Sequence, residues 1–262
     1  MKYGFAVPFA ATRGRIDYPL LEAVKKAGFD FVELSGVRVM QLEESELESL
    51  LAFLDKIGLR CEGIAAFMPA TLNFLTTGRD AFDAYLRQAV ERFRRLGVKR
   101  VGFGSGPSRA IPDGMSTQDG MGLFAQMLRE RFLPLLEEKD MSLLIEPLRK
   151  EETNLIHLIP EAAAVVDMIG SERAGVVADT FHMMSGAERP ETVAAKYLPY
   201  IRHLHVSERD RIMPVHAYTD ECAGFVRAFV QNGYDATISF ETKCDDLADL
   251  SCALVTLKKL VS

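Results

Sequence analysis

Four residues in this chain stand where a strand would hand a reactive side chain to solvent. Glu146 follows Leu143-Leu144-Ile145 and precedes Pro147, which has no backbone N–H and ends any regular ladder. Asp179 follows Val176-Val177-Ala178, His205 closes the run Ile201–Leu204, and Glu241 closes Thr237–Phe240. Each run is short and largely apolar, as a buried strand of a parallel sheet is. A lone ionised carboxylate beside such a strand is costly unless a cation or a hydrogen-bond donor meets it. Three carboxylates and one imidazole make an oxygen-rich set suited to Mn²⁺, Mg²⁺ or Co²⁺, with Zn²⁺ also accommodated. One dication beside three carboxylates leaves about one net negative charge by formal counting. Its open positions would receive hydroxyl and carbonyl oxygens of a polyol, where a Lewis acid stabilises an enediolate.

One acid at one strand tip is most simply a solvated rim residue. Four metal-competent residues at equivalent places in consecutive units argue for a shared site. His203 is assigned to the strand face opposite His205. Glu33 ends another strand-like run, either as a partner of the ligand set or as a rim acid. Gly102, Gly104 and Gly106 offer only a weak phosphate cradle, because no helix is expected to start directly after them.

The elements that must position these residues recur along the chain. Strands are expected at Tyr3–Pro8, Phe31–Leu34, Leu59–Ala66, Arg100–Phe103, the run ending at Glu146, Ala174–Asp179, Ile201–His205 and Ala236–Glu241. Helices are expected at Tyr18–Ala27, Ser45–Ile57, Arg79–Leu96, Gln118–Glu138, Pro160–Ile169, Glu191–Tyr200, near Phe225–Gln231, and at Leu247–Leu260. A segment over Phe67–Gly78 and a long polar loop over Val206–Glu221 interrupt the rhythm. Glycines such as Gly28 and Gly58 stand where helices should end. Eight strand–helix alternations imply parallel strands with right-handed crossovers. At roughly 30 residues each they match an α/β fold of the (β/α)8 TIM-barrel type, spanning 1–262 as a single domain. An open doubly wound sheet leaves the same pattern, so the count alone does not establish closure. In a barrel the strand C-termini converge on one face, so the four residues would meet around its mouth.

Composition bounds the function classes. Of 262 residues, 48% are hydrophobic and 26% charged, ample for a large core with no long disordered tract. The net charge of -6 argues against a nucleic-acid surface, and Arg92–Arg100 is too small a basic cluster to change that. No apolar run of about 18 residues suggests a membrane span. Cys61, Cys222, Cys244 and Cys252 form no CxxC pair, which suits a reducing compartment. The N-terminus, MKYGFAVPFAATRGR, lacks the features of a secretory signal, so a cytoplasmic location is expected.

Several segments carry a family resemblance. EPLRKEETN, ADTFHM, HLHVSERDR and ISFET, with FGSGPSRAIPDG after the fourth strand, resemble the xylose isomerase-like TIM-barrel superfamily. Within it they are similar to the sugar phosphate isomerase/epimerase group that contains D-tagatose and D-psicose 3-epimerases. The resemblance spans most of the chain and is strongest from Val101 to Glu241. It implies a divalent ion, commonly Mn²⁺, held by Glu146, Asp179, His205 and Glu241, with Glu146 and Glu241 as the acid/base pair. It also implies substrate contacts from Glu152, His182 and Arg211, and a homo-oligomer, dimer or tetramer. Arg109, Arg149 and Arg211 are candidates either to meet a phosphate or simply to neutralise nearby acids. The chain departs from the group in having no tryptophan to wall a sugar, a role for which Phe67, Phe103 and Phe181 are the candidates. The loop RIMPVHAYTD replaces a glycine-richer segment, with Met213, Pro214 and His216 set to reshape the pocket.

The expected function is therefore metal-dependent isomerisation or epimerisation of a ketose or keto-polyol. Three alternatives keep the fold. A keto-inositol dehydratase or a hydroxypyruvate-type isomerase would use the same metal cage. An endonuclease IV-like repair enzyme would need a histidine-rich trinuclear zinc site and a basic groove, against which stand five histidines and an acidic chain. A non-catalytic binding barrel would have no need of the cage.

Overall fold

In the computed structural model, which describes residues 1–7 and 16–262, eight parallel strands close into a barrel in chain order. They are β1 (Lys2–Ala6), β2 (Phe31–Ser35), β3 (Arg60–Ala65), β4 (Arg100–Phe103), β5 (Ser142–Ile145), β6 (Ala174–Asp179), β7 (Ile201–Val206) and β8 (Thr237–Phe240). Closure is direct, since Lys2 to Phe5 of β1 pair with Thr237 to Phe240 of β8. The expected barrel is thus the observed one, and the open-sheet alternative is excluded. Pro8, expected to end the first strand, lies outside the described residues.

The strands are short because only four to six residues of each are needed to cross the ring. They are largely apolar because the helices cover the outside. Arg79–Leu96 illustrates the covering layer. Its Phe82, Leu86, Ala89, Val90 and Phe93 recur at three- and four-residue spacing and are buried. Burying either phenylalanine contributes about 2–3 kcal/mol. The helix stops at Gly97, whose φ of +81° is left-handed.

Two differences from the expected elements have a local cause. The single helix expected over Gln118–Glu138 is Thr117–Met127, a π turn at Leu128–Phe132, and Leu133–Glu137. Pro134 has no N–H and its ring crowds the preceding turn, so the ladder widens there. Likewise Pro190–Tyr197 passes into a 3₁₀ turn at Leu198–Tyr200, where Pro199 interrupts it. Three short helices were not expected: Gly36–Gln41 after β2, Gly106–Arg109 after β4 and Thr180–Ser185 after β6. All three follow strand C-termini and shape the mouth of the barrel.

Two β-bulges set what points inward. Val32 pairs with Cys61 but Glu33 with Gly63, so Glu62 is the extra residue of β3. Val176 pairs with Ile201 but Val177 with His203, so Arg202 is the extra residue of β7.

Candidate active site

Glu146 lies one residue past β5, Asp179 ends β6, His205 lies within β7, and Glu241 lies one residue past β8. Barrel geometry turns these four consecutive tips toward one point. One ligand atom from each lies within 4.8 Å of all the others. The Nδ1 of His205 is the hub, 3.2 Å from Glu146 Oε1, 3.4 Å from Glu241 Oε2 and 3.9 Å from Asp179 Oδ2. Glu146, Asp179 and His205 are buried, and Glu241 is half-buried. The Oδ1 of Asp179 accepts the Phe181 N–H at 2.8 Å, which leaves Oδ2 facing the cluster.

A cationic layer covers the cluster. Arg211 Nη1 sits 2.6 Å from Asp179 Oδ2 and 2.8 Å from Glu241 Oε2. Its Nη2 lies 3.0 Å from His182 Nε2. The side chain of Arg211 is held over the Phe181 ring, 4.4 Å from the centroid, and Arg149 stacks at the same distance. Both Asp210 and Arg211 have left-handed backbone, with φ of +60° and +59°, a sparsely populated conformation for residues with side chains. The loop thus bends sharply to deliver the guanidinium. Glu152 stands further out, 2.8 Å from Arg149 and 3.9 Å from His182 Nδ1.

The electrostatics are those of a site short of positive charge. Burial alone would lower the His205 pKa, but the Glu241 and Glu33 carboxylates and the hydrogen bonds to Glu146 and Glu241 raise it well above the usual imidazole value. Burial raises the Asp179 carboxyl, against the pull of Arg211 and His182. Burial acts in the same sense on Glu241, yet Arg211 and His205 outweigh it and hold that carboxyl well below its usual range. With His205 neutral, as a ligating imidazole must be, three carboxylates and one guanidinium leave two formal negative charges, which one dication would neutralise. A largely buried donor set of three carboxylates and one imidazole suits a divalent ion.

A family model described as xylose isomerase-like TIM barrel matches residues 21–258. The chain belongs to that family. Over 200 residues it is 23% identical to D-psicose 3-epimerase of Agrobacterium fabrum, covering 75% of this chain and 69% of that protein. Over 228 residues it is 23% identical to D-psicose 3-epimerase of Enterocloster bolteae, covering 82% and 73%. Among solved structures, D-psicose 3-epimerase with D-tagatose from Clostridium cellulolyticum H10 superposes over 100% of both chains, with a TM-score of 0.83 at 19% identity.

Within this xylose isomerase-like barrel, two residues expected to touch substrate stand elsewhere. Arg109 is fully buried. Its Nη1 donates to the carbonyls of Phe103 at 2.9 Å and Glu146 at 2.7 Å, and its Nη2 to that of Ile156 at 3.1 Å. The guanidinium is spent on stitching β4, the Glu146 tip and the loop beyond it, and burial pushes its pKa down to about 10. Phe67 is also fully buried, stacked on Phe132 at 4.9 Å and edge-on to Phe103 at 5.0 Å. Neither has a surface to offer a sugar. Sequence could not separate them from Arg211 and Phe181, because what differs is which tertiary neighbours close over them.

The glycines after β4 serve space rather than phosphate. A Cβ at Gly104 would overlap Glu146 Oε2, so the glycine lets that carboxylate lie against the backbone. His203 also departs from its assigned face. Residues two apart on a strand share a face, and the His203 and His205 rings stand 4.8 Å apart inside the barrel. A cavity of about 220 Å³ opens beside the cluster, between apolar Ala6, Leu34 and Ala65 and charged Glu33, Glu241 and Arg211. Lys243 also lines it, a cation that no strand-tip signal singled out.

Proposed function

We propose that this chain is a divalent-metal-dependent sugar epimerase or isomerase that moves a proton at a carbon next to the carbonyl of a ketose or keto-polyol. The observation that carries the reading is the convergence of Glu146, Asp179, His205 and Glu241 at the mouth of the barrel, beside an open cavity. The two relatives compared above, both D-psicose 3-epimerases, point the same way.

In this reading the four residues hold the ion, with Mn²⁺ favoured and Mg²⁺, Co²⁺ or Zn²⁺ able to serve. When bound, it supplies a Lewis acid for the substrate's carbonyl and adjacent hydroxyl oxygens. The chain's own residues do the rest. Glu146 and Glu241 come from β5 and β8, three strands apart, and so reach a substrate from different sides. One carboxylate removes the proton next to the carbonyl, and the other returns a proton to that carbon. Arg211 and His182, joined at 3.0 Å, bind substrate oxygens, and Glu152 limits the far end. Phe181, buried and stacked by both Arg149 and Arg211, holds those two guanidiniums at the rim of the site.

The test is a substrate screen on Mn²⁺-loaded protein: ketohexoses, ketopentoses and keto-polyols, with keto-inositols and hydroxypyruvate as the competing chemistries. In ²H₂O the expected product carries one deuterium at the epimerised carbon. Turnover of the keto-inositol or hydroxypyruvate alone would assign a different reaction to the same residues. Full turnover by Glu146→Gln on the identified sugar would remove the acid/base assignment.

A further inference from the structure

Beneath the four-residue cluster, the barrel holds a second group of buried polar side chains that the proposed chemistry does not use. Glu33 is 3% exposed, yet its carboxylate is fully engaged. Its Oε1 lies 2.7 Å from His203 Nε2 and accepts the Ser239 hydroxyl. Its Oε2 lies 3.4 Å from His205 Nε2. The His203 Nδ1 in turn sits 2.6 Å from the Thr237 hydroxyl. One assignment of protons satisfies every contact. Thr237 donates to His203 Nδ1, and the Nε2–H groups of His203 and His205 both donate to Glu33. A carboxylate is acceptor-only when ionised, so it fixes the tautomer of each ring.

The barrel is carved to hold this group. The bulge in β3 sets Gly63 opposite Glu33, and a Cβ there would stand 2.5 Å from Glu33 Cγ and 2.6 Å from Oε2. A Cβ at Gly4 would stand 2.5 Å from Ser239 Oγ. Side chains at either place would expel the carboxylate or its hydroxyl donor.

We infer that Glu33 is a positioning residue for the metal site, holding His205 with its Nε2–H turned toward Glu33 and its Nδ1 turned toward Glu146, Asp179 and Glu241. The inference rests on the metal reading proposed above. A ligand imidazole whose other N–H is anchored to a carboxylate is fixed in ring orientation and made more basic. The competing use of the group, as a site for a second ion among Glu33, His203 and His205, fits less well. Those atoms already stand at hydrogen-bond distances, and Glu33 Oε1 serves two donors.

The experiment compares wild type, Glu33→Gln and Thr237→Val by Mn²⁺ calorimetry, Co²⁺ absorption and thermal melting of the metal-free proteins. Wild type is expected to bind one Mn²⁺ per chain. Glu33→Gln, which keeps the shape but presents an amide, is expected to bind it 10- to 100-fold more weakly and to shift the Co²⁺ ligand-field bands. Thr237→Val, two links further from the ion, is expected to lose about three- to tenfold, and it carries the test if Glu33→Gln does not fold. Unchanged affinity and spectrum in whichever variants fold would overturn the inference alone. Two ions per chain in wild type, one of them lost in Glu33→Gln, would replace it with the second-ion reading. Failure of wild type to bind any divalent ion would remove the metal reading and this inference with it.

Discussion

Replacing Gly104 by alanine adds one methyl group to the backbone that Glu146 lies against. That methyl would overlap Glu146 Oε2 and stand 3.0 Å from its Cδ. Restoring tolerable contact requires the carboxylate to swing by roughly 1–1.5 Å. It has little freedom to do so, since Oε1 already meets His205 Nδ1 at 3.2 Å and Arg109 clamps the Glu146 carbonyl at 2.7 Å. Two costs follow. Overpacking should destabilise the fold by about 1–3 kcal/mol, or about 2–4 °C in Tm per kcal/mol. A displacement of about 1 Å at a catalytic carboxylate should lower kcat/KM on the identified sugar roughly 100-fold. Calorimetry with Mn²⁺ and steady-state kinetics separate the two effects. Gly102→Ala is the control. Its methyl would meet the Ile64 carbonyl at 3.3 Å and nothing of the cluster, so it should cost stability without weakening Mn²⁺ binding. The reasoning is wrong if Gly104→Ala binds Mn²⁺ and turns over within twofold of wild type, or if Gly102→Ala loses metal affinity equally.

Other perturbations probe other parts of the account. Arg109→Met takes the guanidinium donor from the buried Glu146 carbonyl and the second donor from those of Phe103 and Ile156, and should cost about 3–5 kcal/mol in denaturant unfolding, with KM unchanged; a stable variant with a tenfold higher KM would return Arg109 to the substrate. Excess Mn²⁺ at about 100 times its Kd should add about 2.7 kcal/mol to wild-type stability, and Asp179→Asn should lose most of that gain in a melting assay. Glu188 is pushed up to about 7 by burial, from an ordinary value of 4.5, and one of its oxygens has no hydrogen-bond partner among the described residues. The folded state then binds the proton more tightly than the unfolded chain, so stability should fall as pH rises from about 4.5 through 7. Glu188→Gln should remove about 2–3 kcal/mol of that decline, and parallel Tm-against-pH curves for the two proteins would contradict the assignment.

The barrel was legible because its signals are local. An apolar run ended by a charge marks a strand tip, and an amphipathic stretch ended by glycine marks the helix that follows. Asp179 and Glu241 could be read this way because strand, tip and turn lie within a few residues. Arg109 and Phe67 could not, since a buried guanidinium and a binding guanidinium share one sequence pattern. Their difference is made by Ile156 and Phe132, distant in the chain. His203 was misassigned for a simpler reason: with a two-residue period it had to face the same way as His205. The group it forms with Glu33 spans 170 residues of chain and only closure of the ring assembles it.

The central claim is that one dication sits among Glu146, Asp179, His205 and Glu241. Anomalous diffraction at the manganese edge, from crystals grown with Mn²⁺, tests it directly. The account predicts one strong peak per chain within bonding distance of all four side chains. A peak bound elsewhere, or none at saturating Mn²⁺, would contradict it.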